Sequence, residues 1–371
     1  MGHPSGLTRP RLPSGAMGPA PLDRDDLRQR VQKALDAFVA AQLPFLEAVS
    51  AELAPLADAL VQLVAGGKRL RPAFCYWGHR GAGGADGEAI VTAAAALELF
   101  QACAIIHDDV MDASDTRRGQ PAAHRRFAAL HRSADWHGDP EAFGAGAAIL
   151  LGDLCLVWSD EMLATSGFEA EALVRGDRVY AQMRTELMGG QYLDLLEQAR
   201  GGGSVERALR VARYKSAKYT IEKPLHLGAA LAGAPQEVLD GYSGYGLPLG
   251  EAFQLRDDLL GVFGDPAQTG KPAGDDLREG KRTTLVAMAL EGANDRQCEL
   301  VRRHLGDPHL AEDGVSALRA VITDTGALDR VESLITELTD DALAALEAAP
   351  VQDDARTVLR ELAAAATARS V

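Results

Sequence analysis

Three acidic residues lie close together in the stretch HDDVMD, namely Asp108, Asp109 and Asp112. Residues four apart share one face of a helix, so Asp108 and Asp112 project together with Asp109 beside them. Carboxylates this close repel one another unless a cation neutralises them, and oxygen-only sites suit Mg²⁺, which commonly shares its ligands with a phosphate. The alternative is a solvated acidic helix end. The preceding run AAAALELFQACAII is too apolar for a surface helix, which favours a metal site.

A second acidic pair, Asp257 and Asp258, occurs in FQLRDDLLGVFGD, again at the end of a long apolar helical pattern. If the two acidic helix ends face each other across a cavity, they can bind two or three Mg²⁺ ions between them.

Clusters of basic residues accompany the acidic motifs, although the chain as a whole is acidic. Cations beside acidic metal sites indicate recognition of a diphosphate, which Arg binds with two hydrogen bonds and Lys with a point charge. For any single cation a solvated side chain or an ordinary salt bridge is the better explanation, so the argument depends on their joint placement. The clusters are Lys68, Arg69 and Arg71 in GGKRLRP, Arg117 and Arg118 in DTRRG, and Lys271 and Lys281 in TGKPAGDDLREGKRT.

The composition is that of a globular protein. Of the 371 residues, 47% are hydrophobic and 25% charged, which excludes a wholly disordered chain. The net charge of −15 argues against a general binder of nucleic acid or of anionic membranes. We find no apolar run of the ~18–20 residues that a membrane span needs, and no signal-peptide core. The four cysteines show neither metal spacing nor a disulfide framework, so we expect a cytoplasmic protein with reduced thiols.

The elements that must position these motifs are helices. Residues 1–22 are rich in Gly and Pro and predict a disordered tail. From residue 23 to residue 371, apolar residues recur at intervals of three and four, and alternating strand patterns of useful length are missing. The breaks between helical segments are short, and we find no internal repeat. The sequence therefore predicts one all-α domain, a helical bundle.

Six ordered motifs together give the chain a family resemblance. It resembles the trans-isoprenyl diphosphate synthases, or polyprenyl synthetases, over essentially its whole length after the tail. This resemblance implies an all-α prenyltransferase fold of the isoprenoid synthase type with a central active-site cavity, usually in a homodimer. The motifs that carry it are GGKRLRP, HDDVMD with the following RRG, GQYLD, YKSAKYT, FQLRDD and GKPAGDDLREGKRT.

The resemblance also implies a role for individual residues. It makes Asp108 and Asp112 ligands of Mg²⁺ with Asp109 supporting, and Asp257 and Asp258 ligands of the remaining ions, two or three in all. Catalysis is then expected to depend on Asp108, Asp112, Asp257 and Lys215.

Two sets of side chains are implied as substrate contacts. One set would bind the diphosphate of an allylic substrate, and the other would bind isopentenyl diphosphate. Gln191, Asp194 and Gln254 fall where the family places polar groups near the metals and the reacting carbons. The first set is Arg117, Lys215 with Ser216, Lys271 and Lys281, and the second is Lys68, Arg71, Gln101 and Arg118.

Three positions depart from the family pattern. Gly261 stands where the second acidic motif usually has its third acid, which puts a full acidic trio there in doubt. Ser216 replaces a more usual Thr and keeps the hydroxyl. Gln101 replaces a common His, which keeps a hydrogen-bond donor and removes titration near neutral pH.

The implied reaction is the head-to-tail condensation of isopentenyl diphosphate with dimethylallyl, geranyl or farnesyl diphosphate through a carbocation. On the helix before Asp108, Ala104 and Cys103 are small, whereas Phe100 lies eight residues back, roughly 12 Å along the axis. That depth admits a farnesyl tail and predicts arrest at all-trans geranylgeranyl diphosphate (C20). Farnesyl diphosphate and products of C25 and above remain alternatives.

Two other functions share part of this pattern. A class I terpene cyclase also has an aspartate-rich helix, but it has no need of an isopentenyl diphosphate site, and its second metal motif normally combines Asn, Ser and Glu. A non-catalytic partner subunit usually lacks aspartates of the first motif, and this chain keeps all three.

Overall fold

Helices make up nearly all of the structure. The computed structural model describes residues 21–117, 119–264 and 274–367. Within these ranges the strands are a single antiparallel pair, β1 (Thr116–Arg117) and β2 (Gln120–Pro121). The predicted all-α fold is confirmed. The tail predicted at 1–22 lies outside the described residues except for its last two, which begin a 3₁₀ turn at Pro21–Asp26.

The first half of the chain carries eight α-helices within the described residues. Side chains fix several of their ends: Asp139 caps α6 by accepting from the amide of Glu141, and Ser204 caps α8 by accepting from that of Arg207. The bounds are α1 Leu27–Val49, α2 Ala54–Val64, α3 Leu70–Gly81, α4 Glu88–Met111, α5 Ala123–Ser133, α6 Pro140–Ala164, α7 Ala170–Arg200 and α8 Val205–Val211, with a 3₁₀ turn at Ala51–Leu53.

A π-helix, Ala212–Glu222, follows α8 and leads into the second half. The amide of Lys223 donates to the carbonyl of Lys218, five residues back, which is the π pattern of hydrogen bonding. The remaining bounds are α9 Lys223–Ala232, α10 Gln236–Phe263, α11 Asp275–Glu279, α12 Thr284–Gly292, α13 Asp295–His304, α14 Glu312–Asp324, α15 Ala327–Ala348 and α16 Asp353–Thr367.

Two apolar cores support the helices that carry the acidic motifs. The larger core is built around α4. Most side chains of α4 between Ile90 and Ile106 are buried, and the helix packs against α1, α3 and α6. The smaller core gathers α12, α13, α14 and α15. Helix α10 contributes to both, with Leu249 in the larger core and Leu255 and Leu259 in the smaller one. Both acid-bearing helices are thus held along their length by packed side chains.

Glycines let the π-helix approach its neighbours closely. A Cβ at Gly190 of α7 would lie 2.5 Å from the amide nitrogen of Lys215, and one at Gly250 of α10 would lie 2.5 Å from Cα of Ala217. Both distances are shorter than side-chain carbons tolerate, so any larger residue would push the π-helix outwards. The π-helix is therefore wedged between α7 and α10.

Two helices are apolar enough, by length and composition alone, to cross a membrane, which corrects the expectation that no apolar run reaches that length. They are α4, with 72% of its apolar window buried, and α6, with 39% buried. A mostly buried core helix passes the same test, and α4 is one.

Candidate active site

The first acidic motif ends α4. Asp112 is the C-cap that follows Met111, the last residue of α4, and its amide donates to the carbonyl of Asp108 at 2.8 Å. Its carboxylate oxygen Oδ1 is buried and finds no hydrogen-bond partner among the described residues. Burial and the adjacent charge of Asp108 raise the pKa of Asp112 to about 6. An unpaired buried carboxylate beside a second one is an environment that a hard cation would stabilise.

Lys215 of the π-helix meets the first motif directly. Its Nζ lies 2.9 Å from Asp108 and 2.6 Å from Asp194 of α7, while the side-chain amide of Gln191 donates to Asp108 at 3.1 Å. Burial lowers the pKa of Lys215, but the two carboxylates outweigh it and the pKa lies above its ordinary value. Lys215 therefore stays cationic next to the acids.

The same cations act on Asp108. Burial alone would raise the pKa of Asp108, but Lys215, Lys281 and Arg117 together hold it below its usual value. Asp108 is ionised and Asp112 is more readily protonated, so the two acids on one helix face have different electrostatic environments.

Asp109 points to a different partner. It is 2% exposed, and Arg117 of β1 donates to its carboxylate through Nε at 3.0 Å and through a second nitrogen. Arg117 also approaches Asp108 at 3.6 Å. Asp109, predicted as a supporting metal ligand, is in this structure the residue that fixes Arg117 beside the other two acids.

The second acidic motif lies on α10 and its two acids differ. Asp257 is exposed, whereas Asp258 is 5% exposed and accepts a hydrogen bond from Gln254 at 2.7 Å. Burial, together with the charges of Asp276 and Asp257, raises the pKa of Asp258 well above its usual range despite that hydrogen bond. Of these two acids, Asp257 is therefore the one with an accessible carboxylate.

Lys281 lies between the two motifs. Its Nζ is 3.2 Å from Asp276 and 2.7 Å from Glu279, both on α11. Glu279 in turn accepts a hydrogen bond at 3.1 Å from Ser114, two residues after the first motif. Burial lowers the pKa of Lys281, but these acids and Asp108 raise it well above its ordinary value.

Two of the residues predicted for isopentenyl diphosphate, Arg71 and Gln101, contact the π-helix. Arg71 donates to Thr220 at 2.9 Å and its guanidinium lies 4.1 Å from the ring centre of Tyr219. The hydroxyl of Tyr219 donates to Gln101 at 2.6 Å. Tyr219 and Thr220 were not singled out from the sequence, because the pattern YKSAKYT predicts an ordinary helix and does not show which side chains it turns inwards.

The remaining basic and polar residues that the sequence analysis singled out lie in different environments. Lys68 is exposed and Ser216 is buried within the π-helix. Arg69, grouped by sequence with the phosphate-binding cations, is 4% exposed and bonded to Glu98, which assigns it to the interior of the fold. Arg118 and Lys271 lie outside the described residues.

An aromatic layer lies beneath these motifs. Phe100 is 1% exposed, and its ring meets Tyr219 at 5.5 Å and Tyr180 at 5.9 Å, both edge to face. Cys103 is buried and Ala104 is half-buried between this layer and the acids. Phe100 therefore packs edge to face against two tyrosines at the depth where the sequence placed it.

No group of three or more Asp, Glu, His or Cys side chains in the described part of the chain is already gathered as a metal site. Acids of this region pair instead with cations: Asp108 with Lys215, Asp109 with Arg117, and Asp276 with Lys281. Oxygen donors and the unpaired Asp112 oxygen still fit Mg²⁺ better than a softer ion.

A sequence profile of the polyprenyl synthetase family matches residues 54–322. The chain belongs to the polyprenyl synthetase family. The predictions of an isoprenoid synthase fold and of a trans-isoprenyl diphosphate synthase are confirmed.

Several polyprenyl synthetase relatives are similar over most of the chain. A geranylgeranyl pyrophosphate synthase of Corynebacterium glutamicum, crystallised with isoprenyl diphosphate and magnesium, is 44% identical with a TM-score of 0.90, covering 93% of this chain and 99% of that one. A geranylfarnesyl diphosphate synthase of Aeropyrum pernix is 36% identical over 75% of this chain and 82% of its own length. A geranylgeranyl diphosphate synthase of Mycobacterium tuberculosis is 32% identical over 76% and 75% respectively.

Proposed function

We propose that this synthase condenses isopentenyl diphosphate head-to-tail with allylic diphosphates up to farnesyl and releases all-trans geranylgeranyl diphosphate. The observation that carries the proposal is the joint placement of Asp108, Lys215 and Arg117 at the end of α4, the helix that also carries Phe100 of the aromatic layer. Carboxylates that can bind a metal cation and basic side chains that can bind a diphosphate therefore meet at one end of an apolar core helix.

Asp108, Asp112 and Asp257 would hold two or three Mg²⁺ ions, with Asp258 supporting Asp257. Bound magnesium supplies positive charge against the oxygens of the leaving diphosphate. Asp108 and Asp112 lie on one helix face, and Asp257 is the accessible acid of the other helix.

Lys215, Arg117 and Lys281 would bind the allylic diphosphate, together with Lys271. Three of these cations are fixed by carboxylates before substrate arrives, so little reorganisation is needed as negative charge develops on the leaving group. The allylic C–O bond then ionises, and the double bond of isopentenyl diphosphate attacks the cation. The final proton loss can go to the departing diphosphate, so no protein nucleophile is required.

Lys68, Arg71 and Arg118 would bind isopentenyl diphosphate, with Gln101 beside them. The buried Nε of Arg71 finds no hydrogen-bond partner among the described residues, which fits an anion bound there. The ring of Tyr219 supports the guanidinium, and its hydroxyl fixes Gln101.

Product length follows from the aromatic layer. Matched relatives include both geranylgeranyl and geranylfarnesyl diphosphate synthases, so the choice of C20 rests on Phe100 and its two tyrosine neighbours. We expect Phe100→Ala to lengthen the product and Ala104→Phe to shorten it. Unchanged products in both variants would contradict this role of the layer.

The assay supplies isopentenyl diphosphate, Mg²⁺ and a C5, C10 or C15 allylic substrate, followed by chromatography of the dephosphorylated products. Geranylgeraniol is expected. Farnesol or longer alcohols would correct the length, cyclic hydrocarbons would indicate a terpene cyclase, and the absence of any product would indicate a non-catalytic subunit.

A homodimer is also part of the proposal. Phe143, Leu150 and Val157 recur every seven residues on α6 and are 39%, 64% and 61% exposed, so one apolar stripe of this helix is uncovered within the chain. A second copy of the chain would cover it. Light scattering should give twice the chain mass, and Leu150→Glu should give the monomer.

We place the enzyme in the cytoplasm. All four cysteines carry free thiols, and three are buried, which suits a reducing compartment.

A further inference from the structure

The GGKR loop, residues 66–69, lies between α2 and α3 and has an unusual backbone. Arg69, its last residue, has a φ of +56°, in the left-handed region that residues with a Cβ rarely adopt. Gly66 and Gly67 also have positive φ, +69° and +109°. A strained backbone beside Lys68, a predicted substrate contact, persists only where surrounding contacts hold it.

Three helices hold the guanidinium of Arg69. One terminal nitrogen donates to Glu98 of α4, and the other donates to the side-chain carbonyl of Gln32 on α1 and to the backbone carbonyl of Val64, the last residue of α2. The side chain of Arg69 is 3% exposed and that of Glu98 is 9% exposed. Because a buried charge pair contributes little net stability relative to packed apolar side chains, stability alone does not account for this arrangement.

Gln32 holds the other end of the GGKR loop as well. Its side-chain carbonyl oxygen accepts from the backbone amide of Gly66 at 3.0 Å, while its side-chain amide donates to Asp36 at 2.8 Å. A single oxygen of α1 therefore receives hydrogen bonds from both ends of the loop. Lys68 lies within the loop, and α3, which carries Arg71 in its first turn, begins directly after it.

The pair of Arg69 and Glu98 also borders the substrate site. A cavity between α2, α4 and β1 is lined on its polar side by Arg69, Glu98, Gln101 and Arg117. Glu98 and Gln101 are three residues apart on α4, so they share one face of that helix. The contacts that hold the loop therefore adjoin two of the side chains predicted to bind substrate.

We propose that Arg69, with its partners Gln32 and Glu98, is a positioning residue for the isopentenyl diphosphate site. It fixes the GGKR loop in a conformation that the backbone alone disfavours, and so sets the directions from which Lys68 and Arg71 approach the substrate. A site that is fixed before the substrate arrives loses less conformational freedom on binding. The inference rests on the proposed function, since it requires that isopentenyl diphosphate binds at these two cations.

Variants of Gln32 test the loop by itself, because Gln32 is not among the residues predicted to contact a substrate. Gln32→Met removes the acceptor of Gly66 and Arg69. We expect the KM for isopentenyl diphosphate to rise about 10-fold, with kcat and the KM for farnesyl diphosphate within about twofold of the parent. Gln32→Glu keeps an acceptor oxygen at the same place, so all three constants should stay within about twofold.

Gln236 on α10 is the matched control. Like Gln32, it donates its side-chain amide to an acid four residues later, Asp240, at 2.9 Å, but on a different helix. Gln236→Met should leave the KM for isopentenyl diphosphate unchanged. Steady-state rates, with each diphosphate varied at a saturating concentration of the other, measure these constants, and the unfolding midpoint shows whether each variant is folded.

Arg69→Lys tests the centre of the arrangement. It keeps the charge but replaces a planar fork with a point charge, which cannot contact Glu98, Gln32 and the carbonyl of Val64 together. We expect the same selective rise in the KM for isopentenyl diphosphate, by about 10-fold or more. If this variant does not fold, the Gln32 variants decide the question.

The outcomes separate this inference from the proposed function. The inference is overturned, while the synthase assignment stands, if Gln32→Met changes the KM for isopentenyl diphosphate no more than Gln236→Met does. The same holds if Gln32→Met raises the KM for both diphosphates equally, or if Gln32→Glu is no better than Gln32→Met. If the parent protein forms no prenyl product, the proposed function itself fails.

Discussion

The ends of α4 and α10 both carry neighbouring carboxylates, and the environment of these carboxylates differs between the two ends. At the end of α4, acids from one helix are balanced by cations from other elements, with Lys215 and Arg117 in direct contact with them. At the end of α10, Asp258 is buried, Asp257 is exposed, and Asp276 from α11 fills the place beside Gly261. The comparison shows that such a site is defined by side chains that meet in space from several elements. The spacing of acids along one helix describes only part of it.

The largest loss of catalytic activity should come from removing the charge of Asp108, which contacts both Lys215 and Arg117. Asp108→Asn removes the partner of Lys215 and Gln191, and we expect kcat/KM to fall by about 10²–10³-fold. Steady-state rates with farnesyl and isopentenyl diphosphates measure it. Asp115→Asn, an exposed acid nearby, is the control, and equal losses in both variants would show that the motif has no special role.

Asp109→Asn tests whether this acid acts by holding Arg117. Breaking a buried ion pair costs roughly 3 kcal/mol of unfolding free energy, because the remaining charge is left without its partner. Urea unfolding measures the change. Asp115 forms an exposed pair with Arg125 at 2.7 Å, and its loss should cost about 0–1 kcal/mol. A similar small cost for Asp109→Asn would contradict the structural role.

Within the second motif, Asp257→Asn and Asp258→Asn should differ. Asp257 is accessible, so its loss should raise the Mg²⁺ concentration for half-maximal activity by about 10–100-fold. Asp258 is buried with a raised pKa, and an Asn there can still accept from Gln254, so we expect less than about tenfold. Magnesium titrations of initial rate compare them, and the reverse order would refute the assignment of Asp257 as the principal ligand.

The smallest kinetic effect is expected from a change at Tyr219, in the aromatic layer. Tyr219→Phe removes one hydrogen bond to Gln101, worth about 0.5–1.5 kcal/mol, and keeps the ring that packs on Phe100 and Arg71. The KM for isopentenyl diphosphate should rise a few-fold with kcat unchanged. A change in product length instead would mean that the hydroxyl shapes the aromatic layer.

Sequence reasoning reached the fold and the first motif because both depend on local periodicity. Apolar spacing predicted the helices, and the four-residue interval placed Asp108 and Asp112 on one face. Arg69 was grouped with a basic cluster because its charge is visible in the sequence, whereas its partner Glu98, which lies on α4, is not.

Neither the position of Asp276 nor the π-helix could be predicted from the sequence, and the reasons are related. Nothing in the spacing of FQLRDDLLG shows that a carboxylate from α11 will occupy the space at Gly261. Hydropathy likewise does not distinguish a π-helix from an α-helix, and the glycines that admit it, Gly190 and Gly250, lie in two other helices.

The geometry of the π-helix limits which insertions and deletions this chain can tolerate. Its wider turn sets the angular position of Lys215 against Asp108 and of Tyr219 against Gln101 at the same time. Deleting one residue between them would rotate one partner relative to the other by one helical step, which in a π-helix is somewhat less than the ~100° of an α-helix. This stretch can therefore exchange residue types in evolution or in the laboratory, but its residue count is fixed.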